Sequence, residues 1–399
     1  MTDRQRRVTT ADVVVIGGGI VGASSAFWLA RAGLRPVLVE RLETLAGATT
    51  AASAHSVRAQ FVEPENIAMM RESIETYERF PEVLRMTAEE ADIGFVRGGY
   101  LFASTAPGSV EIIRDRVAHQ RANGLVDVEA LDGNEVRYRF PWMDGAVVAA
   151  SYRAGDGWLD GTRATEVLVR ASGATVLLGT EVEGIVCDGG RVIGVRTDRG
   201  AIATHLVVLA AGPFTGILAG EPLPLQLVRR HRLIVAPRSE IPAGAPMTVD
   251  ADTGAHWRPH RGGALVAWAR PDVPGPPLAP VPPDPGFPAM VLQDRDGVGR
   301  LTPFWRELGP TLRASDLDLA AGQYTITPDH KPLIGPAQVT AGLWLHTGYS
   351  GHGIMGAPAG GRLLADLITG AVGPAENPFR PDRLTADGAD GGDNERMVL

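Results

Sequence analysis

The stretch Asp12-Val-Val-Val-Ile-Gly-Gly-Gly-Ile-Val-Gly22 decides the architecture. Its first half is a short, β-branched, uninterrupted apolar run. Such a run reads as a strand covered on both faces, the kind found in parallel sheets. Gly17, Gly19 and Gly22 then give the spacing G-x-G-x-x-G. Ile20 and Val21 lead into an alanine-rich segment, Ala23 to Ala32, with the character of a tightly packed helix that Gly33 stops. Pro36-Val-Leu-Val39 forms the next strand and ends at Glu40. The three elements make one βαβ unit. Glycines let backbone N–H groups approach a phosphate pair, and the helix adds its positive end. An acidic residue closing the second strand accepts hydrogen bonds from ribose hydroxyls and disfavours a 2′-phosphate.

Outward from this unit, helices are expected over 67–80, 110–122 and 161–171, the last capped by Asp160. Strands are expected over 99–103, 205–212, 225–236, 263–269 and 343–347. Short strands with turns at Asp188-Gly-Gly190 and Asp198-Arg-Gly200 lie between them. Nine prolines between Arg270 and Met290 mark a stiff solvated excursion. A final helix is read over 357–369. The segment 374–399, rich in Gly, Asp and Pro, is expected to be disordered.

Composition narrows the function. The chain has 399 residues, 44% of them hydrophobic and 21% charged, near the globular average. A net charge of −8 argues against phosphate-backbone binding, so no nucleic-acid partner is expected. No apolar run reaches the roughly 18 residues of a membrane span. Cys187 is the one cysteine, which removes disulfides and Cys-type metal sites; no His and carboxylate group has metal-ligand spacing. Val13 to Ile16 is too short for a signal sequence despite Arg4, Arg6 and Arg7, and a cytoplasmic protein is expected.

Two features favour FAD over NAD. Gly47-Ala-Thr-Thr50 and Ala51-Ala-Ser53 follow the acidic strand and offer hydroxyls and amides to a longer chain. Gly348-Tyr-Ser-Gly-His-Gly353 follows a buried strand and opens the last helix, where N–H groups stabilise negative charge on a reduced flavin.

Three motifs in order, Val13 to Gly22 with Glu40, Gly322-Gln-Tyr-Thr-Ile-Thr-Pro-Asp-His-Lys-Pro-Leu-Ile-Gly335, and Gly348 to Ala359, resemble the FAD-dependent D-amino-acid-oxidase superfamily. The likeness is greatest to its sarcosine-oxidase and sarcosine-dehydrogenase-like branch. Ser56 to Phe61 and Val207 to Gly212 also look like that branch. The resemblance implies an α/β (α+β) fold in two domains. A Rossmann-like FAD domain would be assembled from 8–88, 146–222 and 320–373. A substrate domain with a mostly antiparallel sheet would come from 89–145 and 223–319. It further implies that Thr49, Thr50, Ser53 and His55 line the pyrophosphate and ribityl chain, and that Val182 meets adenine. Arg41, Ala211 and Gly212 join the cofactor-lining set. Gly351, Gly353, Ile354 and Met355 meet the pyrimidine edge, and Arg58 the flavin ring.

The implied chemistry is removal of a hydride equivalent from carbon next to an amine, giving an imine that water hydrolyses. Substrate-side candidates are His352, Tyr324, Arg58, His256 and Arg258. The sequence also departs from the branch. Gly322 stands where monomeric oxidases carry a flavin-tethering cysteine, so non-covalent FAD is expected. Met355 and Phe61 stand where that branch has a lysine and an arginine of the carboxylate clamp, which leaves two readings: other arginines such as Arg258 hold the substrate, or the substrate is bulkier and less acidic than sarcosine. The strand 263–270 lacks the lysine that assists oxygen reduction, which points to slow oxygen use or another electron acceptor. A 2-hydroxy-acid or related alcohol dehydrogenase, and a flavin subunit of a hetero-oligomeric dehydrogenase, remain open alternatives, and the sequence leaves a homo- or hetero-oligomer equally open.

Overall fold

The computed structural model describes residues 9–384. The first basic residues and the segment 385–399 lie outside the described residues. Val13–Ile16 is fully covered and runs parallel between Pro36–Val39 and Val207–Leu209. It lies inside a six-stranded sheet in the order Leu333–Pro336, Leu343–Thr347, Val207–Leu209, Val13–Ile16, Pro36–Val39, Thr175–Leu177. All neighbours are parallel except the first pair. The helix Ile20–Arg31 packs against Gly161–Ser172 and Gly353–Thr369 over this sheet.

A second sheet of eight strands runs Leu317–Ile326, Gln226–Val235, Gly263–Trp268, Ala255–His260, Met247–Asp250, Tyr100–Ser104, Ala149–Arg153, Glu129–Asp132. Its pairings are antiparallel apart from Met247–Asp250 with Tyr100–Ser104. Ala149–Arg153 and Leu317–Ile326 belong to this sheet, although the expected boundaries put 146–153 and 320–326 with the dinucleotide-binding segments. Leu233, Val235, Trp257, Val266 and Trp268 fill a core on one face, against Trp305 and Val291. The other face looks toward the segment 46–55. A three-stranded meander, Val182–Asp188, Arg191–Thr197 and Gly200–Ala203, turns at the expected glycines.

The last helix starts at Gly353, a turn before the expected position. Pro358 lies inside it and has no N–H for the carbonyl four residues back, that of Ile354. The Tyr77 hydroxyl donates to Ile354 O instead, at 2.7 Å. The helix therefore runs through a residue that reads as a breaker.

The segment 374–384 is ordered, contrary to expectation. Asn377 Nδ2 donates to Ile334 O (2.6 Å), Ile334 N donates to Phe379 O (2.9 Å), and the Phe379 ring is buried. This segment supplies the hydrogen bonds that the edge strand Leu333–Pro336 lacks on its open side.

The proline-rich stretch forms a strap. Gln323 is buried; its Nε2 donates to Pro276 O (2.8 Å) and its Oε1 accepts from Leu278 N (2.7 Å). His231 Nε2 accepts from Asp284 N (2.9 Å). Replacing Gln323 by Leu keeps the volume but unpairs two strap groups, at about 1 kcal/mol each. Limited proteolysis within 270–286 is expected to speed up about tenfold; an unchanged cleavage rate would show that the strap does not depend on this amide.

Candidate active site

The chain leaves Val13–Ile16 at Gly17 with φ +114°. A Cβ on Gly17 would lie 2.3 Å from Ala210 O, and one on Gly22 1.9 Å from Gly17 O. Only glycine permits a bend this tight, and it lets the helix Ile20–Arg31 begin at once. Gly19, the residue before that helix, offers no side-chain cap; Thr50 Oγ1 accepts from Ile20 N at 3.2 Å. Glu40 stands at the rim, its carboxylate accepting from Gly18 N (2.6 Å) and Leu42 N (2.8 Å). Arg41 stacks on Phe214, 4.0 Å from the ring centre. Ala211 and Gly212 follow Val207–Leu209 beside the bend, and half-buried Val182 opens the meander.

The segment 46–55 crosses from the glycine bend to the large sheet. Thr49 Oγ1 donates to Gln323 O (3.1 Å) and Ser53 Oγ to Thr50 O (2.9 Å). His55 has φ +56°. Its Nε2 lies 2.9 Å from Thr50 O, and its Nδ1 accepts from Gly161 N at 3.2 Å. A carbonyl can only accept, so Nε2 carries the proton and the ring is neutral. Burial pushes its pKa down to about 4. Arg232 donates to Ala51 O (2.6 Å), and Arg258 donates through Nε (3.2 Å) and Nη2 (2.9 Å) to Ala54 O. The sheet thus grips this segment by its backbone.

The turn 348–353 docks on the end of Leu317–Ile326, with Ser350 N donating to Thr325 O at 2.9 Å. Gly351 has φ +93°. A Cβ on Gly353 would lie 3.7 Å from Val21 Cγ2, so the starts of the first and last helices adjoin. Ile354 and Met355 are buried in the core. His352 is buried, edge-on to Phe61 with ring centres 4.8 Å apart. The Arg58 guanidinium covers Phe61 at 4.0 Å and Phe102 at 5.2 Å, and donates to Gln60 O. His352 Nε2 is buried with no hydrogen-bond partner. Burial, with the Arg58 charge adding to it, holds its pKa well below 6.5.

Between the segment 46–55 and the sheet lies a recess lined by Ala52, Ala54, Arg230, His256, Trp268 and Tyr324. His256 and Tyr324 both line it. Arg258 does not line it: its guanidinium is committed to Ala54 O and lies over Trp158 at 5.2 Å. Burial pushes the Arg258 pKa down to about 9. Sequence reasoning missed Arg230. A signal was available, because Leu233 and Val235 face the core, so the alternate residues Val228, Arg230 and Arg232 take the other face.

These features fit FAD. The bend excludes side chains where a diphosphate needs backbone, an acid stands at its rim, and a buried ring nitrogen without a partner sits at the far turn. Gly322 has Thr49 Cα and Ala52 Cβ each 3.2 Å from where its Cβ would be, so the strand lies close under the segment 46–55.

The chain is 28% identical to FAD-dependent oxidoreductase domain-containing protein 1 of Xenopus laevis, over 90% of this chain and 79% of that protein. It is 29% identical to the mitochondrial sarcosine dehydrogenase of Homo sapiens, over 90% of this chain and 40% of that protein. It spans less than half the length of the sarcosine and dimethylglycine dehydrogenases it matches. Among solved structures, L-proline dehydrogenase from P. horikoshii superposes with a TM-score of 0.81 at 25% identity, covering 94% of this chain and 98% of that one. Among the described residues no helix is long and apolar enough to cross a membrane. The family model for FAD-dependent oxidoreductases of the DAO type matches residues 12–367, and the chain belongs to that family.

Proposed function

We propose that the protein oxidises the C–H bond next to the nitrogen of an amine or amino acid, with a secondary or N-substituted amine as the preferred class. When bound, FAD supplies the two-electron acceptor for the hydride equivalent lost from that carbon, and water then hydrolyses the product imine. Gly17, Gly19, Ile20, Val21 and Gly22 would hold its diphosphate, and Glu40 with Arg41 its ribose side. Thr49, Thr50, Ser53 and His55 would line the connecting chain, and Val182, Ala211 and Gly212 the adenosine side. Gly351, Gly353, Ile354 and Met355, with Arg58 and His352, would meet the ring. Gly322, which has no thiol, supports non-covalent retention.

One observation carries the amine reading. His256 Nδ1 lies 2.9 Å from Gly254 O, which can only accept, so Nδ1 is protonated and Nε2 keeps its lone pair. Burial pushes the ring pKa down to about 4, and the nearby Arg230 and Arg58 charges act in the same sense. A neutral ring on the recess wall with a free acceptor nitrogen suits a hydrogen bond from a substrate N–H and orients the neutral amine before C–H cleavage. Tyr324, with Ala52 and Ala54 across from the sheet, gives the recess walls that orient the reacting carbon and exclude water. The names of the relatives, sarcosine and dimethylglycine dehydrogenases, support an N-substituted substrate.

An acceptor other than oxygen belongs to the same reading. The strand Gly263–Trp268 carries no lysine, and the single lysine, Lys331, is ion-paired with Glu63 and Glu65. The lone cysteine, exposed Cys187, suits a reducing compartment and supports a cytoplasmic location.

The test is an anaerobic screen of N-methyl amino acids, other amines and 2-hydroxy acids, following the visible flavin band. Bleaching by an amine with release of a smaller amine or ammonia is expected. Bleaching by 2-hydroxy acids alone, or rapid turnover with oxygen as the sole acceptor, would overturn the corresponding part.

A further inference from the structure

We infer that His346 and Tyr349 are positioning residues for the flavin ring: their buried hydrogen bond, continued through Ser25, holds the turn 348–353 at a set place against the start of the helix Ile20–Arg31. This rests on the reading above that puts the diphosphate at the glycine bend and the ring at that turn.

Tyr349 is the second residue of the turn, and its ring is buried against the last helix. Two glycines of that helix make room for it. A Cβ on Gly360 would lie 2.0 Å from the Tyr349 hydroxyl oxygen, and one on Gly356 2.8 Å from its ring carbon Cε1. The hydroxyl lies 2.6 Å from His346 Nε2, and His346 Nδ1 lies 2.7 Å from Ser25 Oγ. Ser25 Oγ donates to Val21 O at 2.9 Å, since a carbonyl can only accept. That uses its one proton. Nδ1–H therefore donates to Ser25, and Nε2 accepts from Tyr349. All three side chains are buried. The bonds run in one direction, from the turn to the first turn of the helix Ile20–Arg31.

One FAD molecule has to meet both places at once, and Ser25 and His346 stand 321 residues apart in the chain. Other bonds of the turn lead to the large sheet: Ser350 N donates to Thr325 O (2.9 Å), and Thr327 N donates to Ser350 Oγ (3.2 Å). The His346 bond ties the turn to the first helix instead. Tyr349 O accepts from His352 N (2.8 Å), and His352 O accepts from Gly356 N (2.9 Å). A shift of Tyr349 is thus passed to Gly353, Ile354 and Met355, whose N–H groups precede that bond and have no partner within the helix. A phenylalanine ring at 349 would fill the same space and donate nothing. His346 Nε2 would then be a buried acceptor without a donor, and the turn would lose its tie to the first helix.

The full chain, freed of flavin, is titrated with FAD and with ADP, which reaches only the glycine bend. Tyr349→Phe is expected to bind FAD at least about tenfold more weakly than wild type, and ADP within about twofold. The flavin midpoint potential of the reloaded variant is expected to be more negative, because N–H groups that stabilise negative charge on the reduced ring are displaced. Ser25→Ala is expected to move both readings in the same direction by less, and it decides the matter should Tyr349→Phe fail to fold. An FAD affinity or a potential that neither variant alters overturns the proposal. So does a lower melting temperature with an unaltered ratio of FAD to ADP affinity, which marks a merely structural pair. Gly351→Ala, which puts a side chain at φ +93° in the turn itself, tests the placement of the ring. A potential that shifts in Gly351→Ala and not in Tyr349→Phe overturns the positioning role alone. A potential that shifts in neither overturns the placement of the ring, and the positioning role with it.

Discussion

Gly22→Ala protein is expected to leave purification colourless, with a lowered melting temperature and no uptake of added FAD. The new methyl carbon would sit 1.9 Å from the Gly17 carbonyl oxygen. That oxygen is fixed by the strand behind it, because Gly17 N donates to Val39 O at 2.9 Å and Ala210 N donates to Ile16 O at 2.9 Å. Relief requires the helix start to move away from the bend, which removes the backbone donors from the diphosphate. Overpacking of this kind costs about 1–3 kcal/mol. Loss of a tightly held ligand subtracts about 4 kcal/mol more when FAD exceeds its dissociation constant a thousandfold. Gly216→Ala is the matched control, because its Cβ meets nothing within 4 Å; that variant is expected to stay yellow. A yellow Gly22→Ala protein with wild-type melting would remove the bend from the cofactor site.

Stability is expected to fall steeply as pH drops from 6.5 toward 4. Burial pushes His55 and His256 down to about 4, and His346 to about 3, from an ordinary value of 6.5. The contacts of His346 explain why its ring is neutral. Tyr349 O–H donates to Nε2 at 2.6 Å, Nδ1–H donates to Ser25 Oγ at 2.7 Å, and Ser25 passes its own proton to Val21 O at 2.9 Å. A second ring proton would displace the Tyr349 donor. A group held neutral in the fold but free to protonate when unfolded stabilises fully above pH 6.5. Its contribution shrinks as the unfolded chain takes up the proton and is gone at the folded value. Each of the three contributes up to about 3 kcal/mol over that window. Denaturant midpoints measured at pH 7.5, 6, 5 and 4.5 should decline with a slope of more than one proton. His346→Gln should be less stable at pH 7.5 and should flatten the slope by about one proton. A flat profile from 7.5 to 4.5 would contradict this picture of the three rings.

Much of the molecule was readable because backbone chemistry is local. The run 13–16, the three glycines and Glu40 specify strand, bend and helix with little outside help, and the meander turns follow from paired glycines. Elements settled by distant partners were not readable. Pro358 reads as a helix breaker until Tyr77 is seen to serve the stranded carbonyl. The segment 374–384 reads as solvent-loving until Asn377 and Phe379 meet the strand edge. The assignment of Ala149–Arg153 and Leu317–Ile326 to the large sheet rests on pairing across long sequence separations, which no local pattern carries. At the recess, the sequence does not separate Arg258, which holds the backbone of Ala54, from Arg230, which lines the wall, because only the fold shows which arginine faces where.

The hydroxyl that bridges Tyr77 to Ile354 has a further consequence for how the enzyme comes into being. Residues separated by most of the polypeptide must meet before the Ile354 carbonyl, stranded by Pro358, gains a donor. A ribosome that has finished only the amino-terminal unit holds the glycine bend without the turn 348–353 that adjoins it in the folded chain. Chains stalled or cut before that point should therefore be released empty, and cofactor capture should follow completion of synthesis.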